Sequence, residues 1–157
     1  MISILHDVRS SHNVGSMFRT SDAAGVEKIY LTGYTPGPLD PRLKPRPDFL
    51  KVSLGAEHFI PWEAVKSVTR LIDKLKKQGY RIYVGEQAKD SINYNSVRVK
   101  RNEKVALVVG NEVTGLSPTI LRRADKILEI PMRGQKESLN VSVAFGIVVY
   151  SLLRHNN

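Results

Sequence analysis

The stretch ILEIPM (127–132), the polar turn RGQKESL (133–139), Asn140 and the apolar run VSVAFGIVVYSLL (141–153) decide the fold of this chain. Only small residues interrupt the final run, whereas a surface helix carries a single apolar stripe. The run is too short to span a bilayer, which needs about 20 apolar residues. We therefore predict a helix buried on all sides, between the body of the protein and a second copy of the chain, without membrane contact.

The composition is that of a globular protein, and we predict a single domain over residues 1–157. The chain has no cysteine, which excludes disulfides and thiolate metal sites and fits a reducing compartment. It starts with an apolar stretch and shows no signal peptide, so the cytoplasm is the expected location. Twenty-four basic and fifteen acidic residues give a net charge of +9, which favours an anionic partner, with nucleic acid first.

Strands and helices are predicted to alternate along the chain. The predicted strands are 2–8, 27–33, 80–85, 105–109 and 127–132, and the predicted helices are 13–24, 61–78, a short one starting at Ser117, and 141–153. The alternation indicates an α/β domain with a mainly parallel sheet flanked by helices. The unbroken apolar run at 105–109 is typical of a central parallel strand.

Residues 34–48 hold five of the eight prolines, and Arg42, Lys44 and Arg46 alternate with them. The prolines predict a stiff, extended, basic loop. A loop of this length in a compact domain is either functional or disordered. We favour a lid that contacts the substrate over a mobile surface loop.

Three turns that follow predicted strands are rich in glycine and polar residues: 9–20, 110–117 and 133–140. In open α/β sheets, ligands bind beyond the carboxyl ends of the strands, so these turns are candidate sites. The motifs GxGxxG and GxxxxGK[ST] are absent, which disfavours an ordinary dinucleotide or Walker nucleotide site. The four histidines lack a zinc spacing, so no metal is expected.

Taken together, these turns resemble the three ordered motifs of the SpoU/TrmH branch of the SPOUT methyltransferases. The matching patterns are NxGxxxRT at 13–20, VGNExxGL at 109–116, and IPM at 130–132 followed by SLNVSxA at 138–144. The stretch KVSLGAE at 51–57 is also similar to that branch. The resemblance covers nearly the whole chain in the same order, with no added RNA-binding extension, so a minimal catalytic domain is expected.

The resemblance implies transfer of a methyl group from S-adenosylmethionine to a ribose 2′-hydroxyl of tRNA or rRNA. It also implies a trefoil knot in the C-terminal half and a homodimer formed through the C-terminal helix region. The cofactor is expected among the knotted loops, where backbone groups hold it. The cofactor residues carried over are Val109, Gly110, Ile130, Met132 and Leu139.

Five residues are carried over as catalytic: Arg19, Asn13, Glu112, Ser138 and Asn140. A guanidinium stays protonated, so we expect Arg19 to bind the adjoining phosphate and stabilise the developing alkoxide rather than act as a base. Asn13 is expected to position Arg19 or the ribose, and Glu112 to orient Arg19 through a charge-assisted pair. Ser138 is expected to face the substrate, and Asn140 also to cap the last helix.

RNA binding is expected to rest on Arg9, Arg42, Lys44 and Arg46, because phosphate contacts give affinity that falls as salt rises. Two alternatives remain open from the sequence. One is a catalytically inactive RNA-binding module on the same fold, and the other is a base methyltransferase on a related knotted scaffold. The sequence determines neither the RNA nor the nucleotide.

Overall fold

The structure is a computed structural model that describes residues 1–154 of the 157-residue chain. Its strands are β1 (Ile2–His6), β2 (Lys28–Thr32), β3 (Trp62–Val65), β4 (Arg81–Gly85), β5 (Ile92–Asn93), β6 (Val105–Val109) and β7 (Lys126–Glu129). Its α-helices are α1 (Ser11–Ala24), α2 (Pro47–Ser53), α3 (Val68–Lys77), α4 (Pro118–Leu121) and α5 (Val141–Leu153). The predicted α/β class is thus observed.

Within residues 1–154 the strands form one sheet in the order β3-β2-β1-β6-β4-β7-β5, and every neighbouring pair is parallel. The chain first builds outward from β1 to β2 and β3, and then crosses to the other side of β1 for the remaining strands. The strand order therefore switches direction between β1 and β6. Ligands bind outside the carboxyl ends of the strands at such a switch.

Both faces of the sheet are buried, and side-chain alternation decides which helices each strand residue meets. In β6, Val105, Leu107 and Val109 pack in the core beneath α1, α2 and α5. Ala106 and Val108 pack in the second core, beneath α3 and α4. Burial on both faces explains why this strand is an unbroken apolar run rather than an alternating one.

The close contact between α1 and α2 depends on Gly15. A Cβ atom at this position would lie 2.6 Å from the carbonyl oxygen of Phe49 and 2.8 Å from Cγ2 of Val52. Phe18 of α1 packs edge-on against Phe49, with ring centroids 5.1 Å apart, a favoured aromatic geometry. Helix α1 is therefore held firmly on the sheet, with its first turn at the carboxyl end of β1.

The last helix, α5, has the bounds that the sequence predicts, 141–153. One side packs in the core through residues such as Phe145 and Val149 and contacts α1. On the other side Val143 is 50% exposed and Tyr150 is 54% exposed. The single chain thus buries one side of this helix and leaves open the side for which a second copy was expected. No helix within residues 1–154 combines the length and hydrophobicity needed to cross a membrane.

Most predicted elements are confirmed, with differences at their ends. The strand predicted at 105–109 matches β6 in both bounds, and the helix after Ser117 begins with Pro118 as expected. The other predicted strands overlap β1, β2, β4 and β7 but differ at their ends by up to three residues. The short elements α2 and β5 were not predicted, because segments of this length carry little periodic signal.

The helix predicted at 61–78 is wrong in its first third. Residues 62–65 form β3, which pairs parallel with β2, and only Val68–Lys77 is helical. The helix starts where Ser67 Oγ accepts the N–H of Arg70 at 3.3 Å, a capping bond. Apolar residues here fit the spacing of a helix and of a strand equally well, so the local pattern could not separate the two.

The proline-rich segment 34–48 folds back on itself, so the prediction of an extended loop is wrong. Asp40 Oδ1 accepts the backbone N–H groups of Arg42 at 2.8 Å and of Lys44 at 2.9 Å. One carboxylate that binds nearby backbone N–H groups closes a tight turn, and Pro47 already begins α2. We call residues 38–46 the basic hairpin.

Candidate active site

A cleft opens at the carboxyl ends of β4, β6 and β7, beside the switch in strand order. The cleft has a cavity volume of about 140 Å³ and is partly open to solvent. Glu112 and Ser138 line it, together with all five residues that the resemblance assigned to the cofactor. These five are Val109, Gly110, Ile130, Met132 and Leu139. Within residues 1–154, no group of three or more metal-ligating side chains could hold a metal ion.

The turn after β6 forms one wall of the cleft and is closely packed. A Cβ atom at Gly110 would lie 2.5 Å from Cγ and Cδ2 of Leu116, so a larger residue would displace the turn. Asn111 is buried, and its Oδ1 accepts the N–H groups of Val113 and Thr114 at 2.8 Å each. Such bonds from an asparagine to the following backbone define a turn, so this wall has a fixed shape.

Three distant segments meet through the side chain of Asn13. Its Nδ2 donates to Glu112 Oε1 at 3.1 Å, and its Oδ1 accepts from Asn140 Nδ2 at 3.1 Å. The three residues come one from each of the three motifs, and Asn13 is buried. An amide can donate and accept at the same time, whereas an aspartate would lose the donor. The network joins the start of α1, the turn after β6 and the start of α5.

Glu112 is exposed, but its carboxylate binds several N–H groups. Oε2 accepts the backbone N–H of Arg9 at 3.1 Å, and Oε1 accepts that of Ser10 at 3.4 Å. Desolvation by burial, the largest single effect, raises the pKa of Glu112, but the bonds from Arg9, Asn13 and Ser10 and from its own N–H together lower the pKa below its ordinary value. Glu112 is therefore an ionised anchor at the N-terminus of α1, where negative charge is favoured.

Asn140 also caps α5. Its Oδ1 accepts the N–H of Ser142 at 2.8 Å, which leaves Nδ2 for Asn13, so the prediction of a helix cap is confirmed. Ser138 is exposed at the cleft. The start of α5 and the rim of the cleft therefore form one structural unit.

Arg19 lies apart from this network. Its side chain is exposed and lines a shallow groove with Lys51 and Tyr150, and within residues 1–154 it forms no hydrogen bond or ion pair. Within residues 1–154 of the single chain, Glu112 binds N–H groups near the start of α1 and does not pair with Arg19. Asn13 does not contact Arg19 either, since Arg19 lies six residues further along α1, about 9 Å along the helix axis.

The four basic residues assigned to RNA lie in different environments. Arg42 and Lys44 are exposed in the basic hairpin. Arg46 is half-buried, and its Nε donates to the carbonyl oxygen of Leu39 at 3.3 Å, so it also holds the hairpin together. Arg9 is exposed at the start of α1, where its backbone N–H binds Glu112.

Sequence reasoning missed the turn after β4. Glu86 and Gln87 line the cleft there, and Gln87 Nε2 donates to the carbonyl oxygen of Glu137 at 2.9 Å. Because these residues directly follow a predicted strand, the rule for ligand sites in open sheets could have found them. Ala144 and Val148 of α5 also line the cleft, but nothing in an apolar helix pattern distinguishes them from core residues.

The lowered pKa of Glu112 predicts a pH-dependent contribution to stability. A carboxylate whose pKa is lowered by folding stabilises the protein above its unfolded pKa, and this contribution is lost as the pH falls through the folded pKa. We expect Glu112→Gln to lower the free energy of unfolding most at neutral pH, with the difference from the parent shrinking below the ordinary pKa of 4.5. Urea unfolding between neutral and acidic pH measures this, with the exposed Asp90→Asn as control. Parallel stability curves for the parent and Glu112→Gln would contradict the assignment.

Comparison with known proteins relates this site to one family. Residues 1–150 match the SpoU rRNA Methylase family. Over 154 residues the chain is 33% identical to a tRNA (guanosine(18)-2′-O)-methyltransferase of Aquifex aeolicus, an alignment that covers 98% of this chain and 69% of that protein. Over 154 residues it is also 34% identical to a 23S rRNA (guanosine-2′-O-)-methyltransferase RlmB of Xanthomonas axonopodis pv. citri, covering 98% of this chain and 58% of that protein.

A solved structure shares the fold. The AdoMet-bound rRNA methyltransferase from Sinorhizobium meliloti aligns with a TM-score of 0.86 at 28% identity, over 98% of this chain and 56% of that chain. The chain thus spans 56% to 69% of the length of these three relatives. Because the match runs through all three motifs and nearly the whole chain, the chain belongs to the SpoU rRNA Methylase family.

Proposed function

We propose that this chain transfers a methyl group from S-adenosylmethionine to a ribose 2′-hydroxyl of tRNA or rRNA. The observation that carries the proposal is the bonding of Asn13 to both Glu112 and Asn140, which joins the three motifs beside one cleft. The named relatives methylate guanosine ribose in tRNA and in 23S rRNA, which supports the reaction class and leaves the RNA open.

The cleft fits the cofactor. It combines apolar side chains such as Ile130, Leu139 and Val148 with the backbone of Gly110, a lining suited to an adenine ring with polar groups around it. When bound, S-adenosylmethionine supplies a positively charged sulfonium that carries the transferable methyl group. Val109, Gly110, Ile130, Met132 and Leu139 are the residues proposed to hold it.

Glu112 is proposed to position the site rather than accept the proton of the 2′-hydroxyl. Its carboxylate already binds the N–H groups of Arg9 and Ser10 and the side chain of Asn13. A lowered pKa also makes it a weaker base than an ordinary glutamate. Its function is therefore to fix Asn13, which in turn fixes Asn140 beside Ser138 at the mouth of the cleft.

Arg19 is proposed to bind an RNA phosphate and stabilise the alkoxide that forms as the hydroxyl proton leaves. Its guanidinium is exposed and forms no bond within residues 1–154, so its fork of donors remains available for a substrate. A planar guanidinium binds two oxygens of a phosphate at once, which a lysine cannot imitate.

We also propose a homodimer in which the open face of α5 contacts a second copy. Val143 and Tyr150 leave this face largely apolar, and the groove with Arg19 and Lys51 lies beside Tyr150. An apolar helix face flanked by charged residues is typical of a protein interface. The dimer would bring Arg19 to a site shared between the two copies.

A trefoil knot and a cytoplasmic location complete the proposal. The end of α5 lies against the connection between β4 and β6, since Arg154 Nη1 donates to Asn95 Oδ1 at 2.6 Å. This contact between the end of α5 and an earlier connection supports the knot implied by the motifs. An RNA substrate and the absence of cysteine support the cytoplasm.

Arg19 provides the test of the proposed reaction. We expect Arg19→Ala to bind S-adenosylmethionine like the parent but to transfer methyl groups about 10²- to 10³-fold more slowly, the usual loss when an oxyanion-stabilising donor is removed. Arg19→Lys should be similarly slow, because a point charge does not replace the fork. Calorimetry measures cofactor binding, and mapping of 2′-O-methyl sites in total RNA measures transfer.

The control is Arg122→Ala, on the opposite face of the sheet. Parent-like transfer by Arg19→Ala would contradict the assignment, and absence of transfer by the parent would favour the inactive RNA-binding alternative.

The basic hairpin should contribute to RNA affinity through phosphate contacts. We expect Arg42→Ala and Lys44→Ala each to reduce the slope of log affinity against log salt by about 0.7 to 0.9, the value for one phosphate contact. Fluorescence anisotropy with tRNA at several salt concentrations measures the slope. Leu43→Ala, an uncharged change at a residue that is 78% exposed in the same turn, is the matched control. An unchanged slope in both charge variants would exclude the hairpin from the RNA interface.

The open face of α5 predicts the effect of a charge introduced on it. We expect Val143→Glu, at a residue outside the groove of Arg19 and Lys51, to halve the molecular mass measured by sedimentation, because a carboxylate buried in an apolar interface is strongly destabilising. Leu43→Glu, an equally drastic change at an exposed residue of the basic hairpin, should leave the mass unchanged. A parent protein that sediments as a monomer at micromolar concentration would refute the dimer.

A further inference from the structure

Glu86 lies in the middle of the cleft. It directly follows β4, whose neighbours in the sheet are β6 on one side and β7 on the other. Its backbone N–H donates to the carbonyl oxygen of Leu128 on β7 at 3.1 Å. Its Oε2 accepts the N–H of Leu116, in the turn after β6, at 2.9 Å. The residue therefore connects the two walls of the cleft.

The wall after β6 is shaped to admit this carboxylate. Gly115 has a φ of 65°, a conformation that L side chains rarely adopt, and any Cβ atom there would collide with Glu86 Oε2. A glycine at this position thus allows both the turn and the close approach of the carboxylate. The backbone N–H of Glu86 thus binds one wall of the cleft and its carboxylate binds the other.

The carboxylate keeps unused capacity to accept hydrogen bonds. Its two oxygens each bind one N–H group, that of Leu116 at 2.9 Å and that of Gln87 at 3.0 Å. An ionised carboxylate offers about four acceptor positions. Glu86 is half-buried and lines the cleft, so about two positions remain for hydroxyl donors of a bound molecule.

The order of the cleft's walls indicates which hydroxyl groups of a bound molecule would donate to Glu86. The β7 side carries apolar side chains such as Ile130 and Leu139 beside Glu129, whose carboxylate binds Ser91. The β6 side carries Glu112 and, through it, Asn13. An adenine ring suits the apolar wall, and the reacting group must lie towards the polar network. In S-adenosylmethionine the ribose lies between the adenine and the sulfonium, as Glu86 lies between these walls.

We propose that Glu86 accepts hydrogen bonds from the 2′- and 3′-hydroxyls of the cofactor's own ribose. The proposal rests on the proposed function, since it assumes that S-adenosylmethionine occupies the cleft. A carboxylate is a good receptor for a vicinal diol, because acidic residues bind ribose hydroxyls in other nucleotide sites. Glu86 would then select for the ribose, while its bond to Leu116 holds the adjoining wall.

The test compares two ligands on each protein variant by calorimetry: S-adenosylhomocysteine and its 3′-deoxy analogue. For the parent we expect the deoxy analogue to bind about 10- to 100-fold more weakly, the value of a hydrogen bond to a charged group. For Glu86→Ala we expect the two ligands to bind about equally. The ratio is measured within each protein, so a general loss of stability does not imitate the effect.

Glu86→Gln and Asp90→Asn complete the experiment. The glutamine keeps a carbonyl acceptor but loses the charge, so Glu86→Gln should fold like the parent by thermal unfolding and discriminate less than the parent. Asp90 is an exposed carboxylate outside the lining of the cleft, so its variant should discriminate like the parent.

Each outcome has a distinct meaning. Equal binding of both ligands by the parent would overturn the role of Glu86 and leave the proposed reaction intact. Undiminished discrimination by Glu86→Ala and Glu86→Gln would also overturn it. If the parent bound neither ligand, the proposed function itself would fail.

Discussion

The amide side chain of Asn13 is the interaction on which the candidate site depends. It donates to Glu112 and accepts from Asn140, and so it joins segments 99 and 127 positions away along the chain. Asn13 is buried, and a buried amide that lost either partner would leave a polar group without a hydrogen bond, at a cost of about 1–3 kcal/mol. The positions of α1, the turn after β6 and the start of α5 are therefore mutually dependent.

This dependence explains why so many backbone groups converge on one region. Glu112 binds N–H groups just before α1, and Asn140 caps α5, so the network holds the starts of two helices. Glu86 links the turn after β4 to the turn after β6 in a similar way, because its carboxylate accepts the N–H of Leu116. A site assembled from the ends of rigid elements keeps its geometry better than one carried by free loops.

Arg19 and the open face of α5 belong to a second region. Arg19 shares a groove with Tyr150 rather than with the cleft, although its motif also contains Asn13. Within this motif, the side chain of Asn13 joins the network and that of Arg19 lies on the open surface, because residues six apart on a helix point in different directions. Tyr150, beside Arg19, is exposed in the single chain, which is why a second copy enters the proposal.

Much of the fold could be predicted because it follows from local patterns. The apolar run at 105–109 and the helix at 141–153 were found with their correct bounds. Elements buried on several sides have nearly continuous apolar sequences, which polar residues bound clearly at each end. Strand β3 was mistaken for the first turns of a helix, because its short pattern fits both. The basic hairpin was predicted as extended, because composition does not reveal the bonds that close it, which come from the Asp40 carboxylate, the Arg46 side chain and the backbone.

The sequence by itself determined the α/β class and the three motifs, and the resemblance of these motifs supplied the five cofactor candidates that line the cleft. These depend on residue type and order, which are visible in the chain. Only the tertiary structure decided that Glu112 binds Asn13 and the start of α1 rather than Arg19, and that Glu86 lies between the cleft walls. Pairings of this kind depend on the order of strands in the sheet, and strand order is set by packing between distant segments rather than by any local pattern.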